Sequence, residues 1–187
     1  FTSHRRELAD GLPEILTEWS PEITVPETER RLFEDPGSYW SAESSRWRLL
    51  CGHVPYHATH TRPVPVARGV ADGEVITWQD WEIRVLATPG YTDGSVTYVV
   101  RRGDAPVLAF TGDLIWGPGK VRDVYSLQHA VTRNGHRVGD YHGFMGSFWT
   151  VLESLGRVLA QAPAQLIPAH GVTINHPADA VALLQSR

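Results

Sequence analysis

An α/β layered fold is predicted for this chain on three observations. Its middle holds short apolar segments that alternate with period two, and segments with apolar residues three and four apart lie before and after them. No internal repeat or low-complexity linker interrupts the run, so residues 1–187 read as a single domain. Leu8, Leu12, Ile15, Leu16 and Trp19 form one helical stripe, closed by Ser20-Pro21. Ile23 to Val25 is a short strand candidate. Pro26 then opens a second helical stretch, PETERRLFEDPG, with Asp35-Pro36-Gly37 as its stop. Residues 38–63 read as a partly helical excursion, and Val64 to Val66 as a strand. Val75 to Trp78 and Trp81 to Val85 flank the polar pair Gln79-Asp80, the pattern of a hairpin. Ser95 to Val100 is another strand, and Val107 to Thr111 a buried one, being continuously apolar. The stretch from Tyr125 to Tyr141 fits neither period. Met145, Phe148, Trp149, Leu152, Leu155, Val158 and Leu159 make the strongest helical face, followed by a Leu166-Ile167 strand and a helix from Ala178 to Gln185.

Composition removes several function classes. Lys and Arg number 17 against 21 Asp and Glu, a formal charge of −4, so no basic excess points to nucleic acid. No apolar run approaches the roughly 20 residues of a membrane span, and no secretion signal is visible; a cytoplasmic location is expected. The single cysteine, Cys51, allows no internal disulfide and reads as a reduced core thiol.

Three strings fall at the ends of expected strands, where α/β proteins place their sites. They are TPGYTDGS (88–95), TGDLI (111–115) and PAHG (168–171). Singly, the glycines can serve tight turns, Asp113 can cap a turn and His170 can be structural. Their occurrence together, in this order, points to a common site.

With Thr2-Ser3-His4-Arg5-Arg6-Glu7-Leu8 at the start, these strings resemble the metallo-β-lactamase superfamily. The family pattern is T-H-x-H-x-D-H before a helix, then P-G-H-T-x-G-S, then G-D after a strand, then P-x-H-G. The resemblance spans essentially the whole chain and implies an αβ/βα four-layer sandwich. The family's first strands precede its histidine motif, so the domain is expected to be N-terminally incomplete. A preceding segment, a partner chain or a second copy would then complete the sheet. The family's usual chemistry is hydrolysis of lactams, lactones, thioesters or phosphoesters by one or two ions, most often zinc.

Carried over position by position, the ligand set is degenerate. The two motif histidines are Ser3 and Arg5, the motif acid is Glu7, the last motif position is Leu8, and the histidine of the glycine string is Tyr91. Asp113 and His170 keep their ligand type. His4 becomes a candidate if the motif slips by one residue. A guanidinium has no lone pair to donate, so Arg5 is expected to replace a cation by pairing with Asp113 and Glu7, with the Tyr91 hydroxyl joining the network. Glu7, Asp113 and Tyr91 are thus the candidate catalytic residues. Arg5, Ser3, His4, Gly90 and Gly94 line the expected cleft, and Asp113 with His170 would hold a metal if one binds. No cofactor is the favoured expectation, with zinc or another divalent ion as the alternative. His53, His57 and His60 share helical spacing, but Pro55 and Pro63 argue for a loop. The expected function is a hydrolase-fold protein with a metal-poor or metal-free site, a non-catalytic module that binds a small-molecule ligand or a partner. The alternative is an active hydrolase using one ion at Asp113 and His170.

Overall fold

The computed structural model describes residues 1–9, 11–41, 62–121, 131–133, 136–138 and 148–186, with backbone alone for Arg6, Glu7, Tyr39, Trp40 and the 131–133 and 136–138 strands. The expectations for Cys51, His53, His57 and His60, and for the side chain of Glu7, lie outside the described residues.

The centre is a five-stranded mixed sheet built from the period-two segments. β3 (Val75–Trp78) and β4 (Trp81–Ala87) pair antiparallel across Gln79-Asp80, with Trp78 opposite Trp81. Gln79 takes φ +54°, the left-handed conformation that a two-residue hairpin turn requires. β5 (Val96–Arg101) runs antiparallel to β4 and to β6 (Leu108–Gly112), and β9 (Gln165–Pro168) lies parallel to β6. The strand order is β3-β4-β5-β6-β9. The carboxyl ends of β4, β6 and β9 and the amino end of β5 therefore share one end of the sheet. That end carries all three of the strings singled out above.

A second, two-stranded parallel sheet joins β1 (Ile23–Pro26) to β2 (Val66–Val70), and β7 (Val131–Arg133) pairs with β8 (His136–Val138). The 64–66 strand expectation is corrected here: pairing starts at Val66 and runs on to Val70. β2 contains Ala67, Arg68 and Gly69, which carry no apolar alternation, and pairing with β1 stands in for that missing signal.

Alternation decides which face packs where. Leu86, Val99 and Ala109 point to the cluster formed with Val151, Leu155 and Val158 of α5 (Phe148–Leu159) and with Val181 and Leu184 of α6 (Pro177–Gln185). Val85, Val96 and the half-buried Tyr98 point the other way and meet Val70 of β2. A third cluster joins Ile23 and Val25 of β1 to Leu12, Phe33 and Val64. Arg157 locks α5 to the sheet, donating to the Ala87 carbonyl at 2.6 Å and to both oxygens of Asp72 at 2.9 Å. Leu155 has no exposed surface, so Leu155→Ala is expected to cost about 2–5 kcal/mol through lost burial and a residual cavity, read as a lower urea midpoint.

Two helical expectations are corrected. The first stripe is interrupted: α1 (Arg6–Ala9) and α2 (Leu12–Glu18) are separate, with Gly11 as the cap of α2. Of its apolar residues, Leu12 is buried, while Ile15 and Trp19 are exposed at 50% and 70%. The second stretch is a 3-10 turn at Glu27–Glu29 running into α3 (Arg30–Glu34). Asp35 breaks it, but the chain turns helical again in α4 (Pro36–Ser41), because proline is tolerated in a first turn. No helix among the described residues is long and apolar enough to cross a membrane.

Candidate functional site

The Asp113 carboxylate is 1% exposed, one residue beyond the end of β6. Gly112, at φ +57°, turns the chain there, and its carbonyl accepts from the Ala169 amide at 2.9 Å, tying the end of β6 to the string after β9. His170 is thereby brought alongside: its Nδ1 lies 2.9 Å from Asp113 Oδ1 and 3.0 Å from Oδ2. The TGDLI turn brings Trp116 back over the same carboxylate, with Nε1–H donating to Oδ1 at 3.0 Å. The indole also stacks at a tilt on the His170 ring, centroids 5.9 Å apart. Asp113, His170 and Trp116 form a compact triad at the carboxyl ends of two adjacent parallel strands, the usual ligand position in open α/β sheets. The His170 side chain is 40% exposed and gives the triad its opening to solvent.

The amino-terminal run packs against the same end of the sheet. The Thr2 carbonyl accepts from the Val96 amide at 2.9 Å, and a Cβ on Gly112 would lie 2.5 Å from Thr2 Oγ1. Ser3, His4 and Arg5 are all buried. The Ser3 hydroxyl meets no hydrogen-bond partner among the described residues.

Arg5 does not form the expected fork with Asp113. Its guanidinium lies 5.4 Å from the centroid of the Tyr91 ring, and its Nη2 points to the Tyr91 carbonyl at 3.4 Å. The physical reason is local. Asp113 already has two donors, placed by short turns at its own strand and the next one, and these offset its desolvation. The flat face of Tyr91 takes the guanidinium instead.

His4 is turned to a residue that sequence reasoning missed. Glu29, 3% exposed, closes the 3-10 turn, and its Oε2 lies 3.0 Å from His4 Nδ1 and accepts from the His4 amide at 2.6 Å. Its Oε1 accepts from the Thr92 hydroxyl at 2.5 Å and from the Gly94 amide at 3.2 Å. Burial pushes this carboxyl up, but the hydrogen bond and charge of His4, with Thr92, outweigh it and hold the group below its ordinary 4.5. Glu29 thus joins the amino-terminal run to the glycine string. Gly94 packs against it, since an added Cβ would collide with Glu29 and Thr28. Gly90, at φ +149°, packs on Val151 of α5, where a Cβ would come within 2.8 Å. In the sequence, Glu29 reads as one of several acids on a polar helix, and nothing local sets it apart. Trp116 had a weak signal, three residues after Asp113.

The chemistry of the donor set can be compared with a metal site. Among the described residues, no group of three or more His, Cys, Asp or Glu is placed to hold an ion. Asp113 and His170 make two, one short of the protein ligands that zinc sites ordinarily provide. The described residues do not fit a zinc centre.

A mixed sheet flanked by helices, with a glycine string, a Gly-Asp and a His-Gly gathered at one end, defines the metallo-β-lactamase fold, and this chain has it. The solved structures it resembles include ST1585, an archaeal metallo-β-lactamase superfamily protein from Sulfolobus tokodaii: TM-score 0.56, 17% identity, over 94% of this chain and 61% of that one. TTHA1429, a metallo-β-lactamase family protein from Thermus thermophilus, matches at TM-score 0.59 and 20% identity, over 99% and 58%. A metallo-β-lactamase with an HARLDQ motif from Cronobacter sakazakii matches at TM-score 0.57 and 13% identity, over 89% and 55%. The chain thus spans less than two-thirds of the length of each of these. No protein-family model matches the sequence, and no curated protein matches it.

Proposed function

We propose that this chain is a metallo-β-lactamase-fold domain whose metal centre is degenerate, and that it binds a small-molecule ligand without hydrolysing it. One observation carries the reading. Arg5 and Tyr91 stand at two motif positions that would carry ligating histidines, and they are packed on each other as a buried cation–π pair. A fixed guanidinium repels a divalent ion nearby by several kcal/mol at an effective dielectric of about 20, and the phenol ring offers no imidazole nitrogen. Asp113 and His170 remain as orienting polar groups at the mouth of the site. The reading includes a single domain in the cytoplasm that pairs with a partner chain or a second copy; light scattering tests the last.

The alternative is a single-ion hydrolase of an ester, thioester, lactone or phosphoester. It is favoured by the juxtaposition of Asp113 and His170. The HARLDQ motif of the Cronobacter sakazakii protein also has an arginine in third place, as Ser3-His4-Arg5-Arg6-Glu7-Leu8 does. Elemental analysis of the purified protein separates the two. The expected result is far less than one ion per chain with or without chelator, and lactones, thioesters or phosphoesters that raise the Tm but are not turned over. Chelator-sensitive turnover establishes the alternative.

A further inference from the structure

The fold's relatives and the chain's own motifs point to a divalent ion beside Asp113, yet this carboxylate is already supplied with donors. We infer that Trp116 is the residue that keeps it so. The indole Nε1–H holds Oδ1 at 3.0 Å while His170 Nδ1 holds both oxygens at 2.9 and 3.0 Å. Three features fix the indole there. The Trp116 amide donates to the Lys120 carbonyl at 2.9 Å, and the Trp116 carbonyl accepts from the Val172 amide at 3.0 Å. The ring leans on His170, so the two donors support each other. A buried carboxylate needs such donors in the absence of a cation, and hydrogen bonds to a charged acceptor are the stronger kind. An incoming ion would have to break the indole bond and turn His170 away from Asp113 before it could use either as a ligand. Trp116 is therefore a positioning residue: it holds the Asp113–His170 pair in a closed arrangement that binds ligand as a hydrogen-bonding unit and resists metal. This rests on the metal-free reading above and names the group that enforces it.

The test follows the indole N–H signals of the protein by 15N NMR, assigning Trp116 by its loss in Trp116→Phe. In the wild type the Trp116 signal is expected downfield, slow to exchange with solvent, and displaced upfield in Asp113→Asn, a variant that retains the indole. Adding zinc at micromolar concentration leaves it unmoved, whereas Trp116→Phe binds zinc about tenfold tighter or more, the worth of one charged hydrogen bond. A Trp116 signal indifferent to Asp113→Asn, or equal zinc affinity in wild type and Trp116→Phe, overturns the inference while leaving the metal-free reading intact. A stoichiometric ion in the protein as purified overturns that reading itself. Should Trp116→Phe fail to fold, the Asp113→Asn shift and the wild-type zinc titration still decide: micromolar zinc that moves the Trp116 signal, reversed by chelator, overturns the inference.

Discussion

Replacing Glu29 by alanine is expected to destabilise the fold by about 3 kcal/mol or more, since several buried donors lose their acceptor at about 1–3 kcal/mol each. Three donors converge on this carboxylate, the His4 amide, the Thr92 hydroxyl and the Gly94 amide, and the His4 ring lies 3.0 Å from it. Without it, they are left inside the protein with nothing to bond. Denaturant unfolding of Glu29→Ala measures the loss. Glu29→Gln keeps the shape and one acceptor and is expected to cost about 1–3 kcal/mol. An unchanged urea midpoint for both variants would show that the amino-terminal run and the glycine string are not joined through this residue.

The same group predicts an acid limb. Its pKa is lower in the folded chain than the ordinary 4.5. A depressed carboxyl contributes stability that is fully present above that value and is lost as pH falls through the folded pKa. Stability should therefore decline below about pH 4.5 in the wild type, and this part of the decline should be missing from Glu29→Gln. Urea midpoints compared at neutral and acid pH check it.

Gly171→Ala is expected to be the second most damaging single change, at about 3 kcal/mol or more. Two costs add. The residue sits at φ +100°, where side chains are strained by about 1–3 kcal/mol. Its added Cβ would also run into the backbone carbonyl of Trp116, which cannot rotate aside as a side chain could. That carbonyl is held by the Val172 amide, so relief of the clash moves Trp116, and with it the indole on Asp113. Near-UV circular dichroism and urea unfolding together read both effects; a variant with the wild-type midpoint and tryptophan signal contradicts the packing described here.

The strands of the five-stranded sheet were legible because their signal is local, unlike β2, whose Ala67, Arg68 and Gly69 give none. The alternation around Gln79-Asp80 marks a hairpin, and the apolar run ending at Thr111 marks a strand, although that strand is not buried throughout as its run of apolar residues suggested: Phe110 is 39% exposed. The helices were less so. The stripe through Ile15 and Trp19 has the right spacing, but spacing alone cannot tell whether a partner surface faces it, and here both residues are exposed. The site divides in the same way. Its strings were visible from their residue types and order, and the sheet topology brings them to one end.

The sequence by itself determined the α/β class, the hairpin, the strand that ends at Gly112 and the identity of the residues at the motif positions, since each depends on neighbours within a few residues along the chain. Tertiary structure alone decided who bonds to whom: Asp113 to His170 and Trp116 rather than Arg5, Arg5 to Tyr91, His4 to Glu29. A charge buried inside a protein takes its partner from whatever donor the packing delivers within about 3 Å, and His170 lies 57 positions from Asp113, while Glu29 lies 25 from His4.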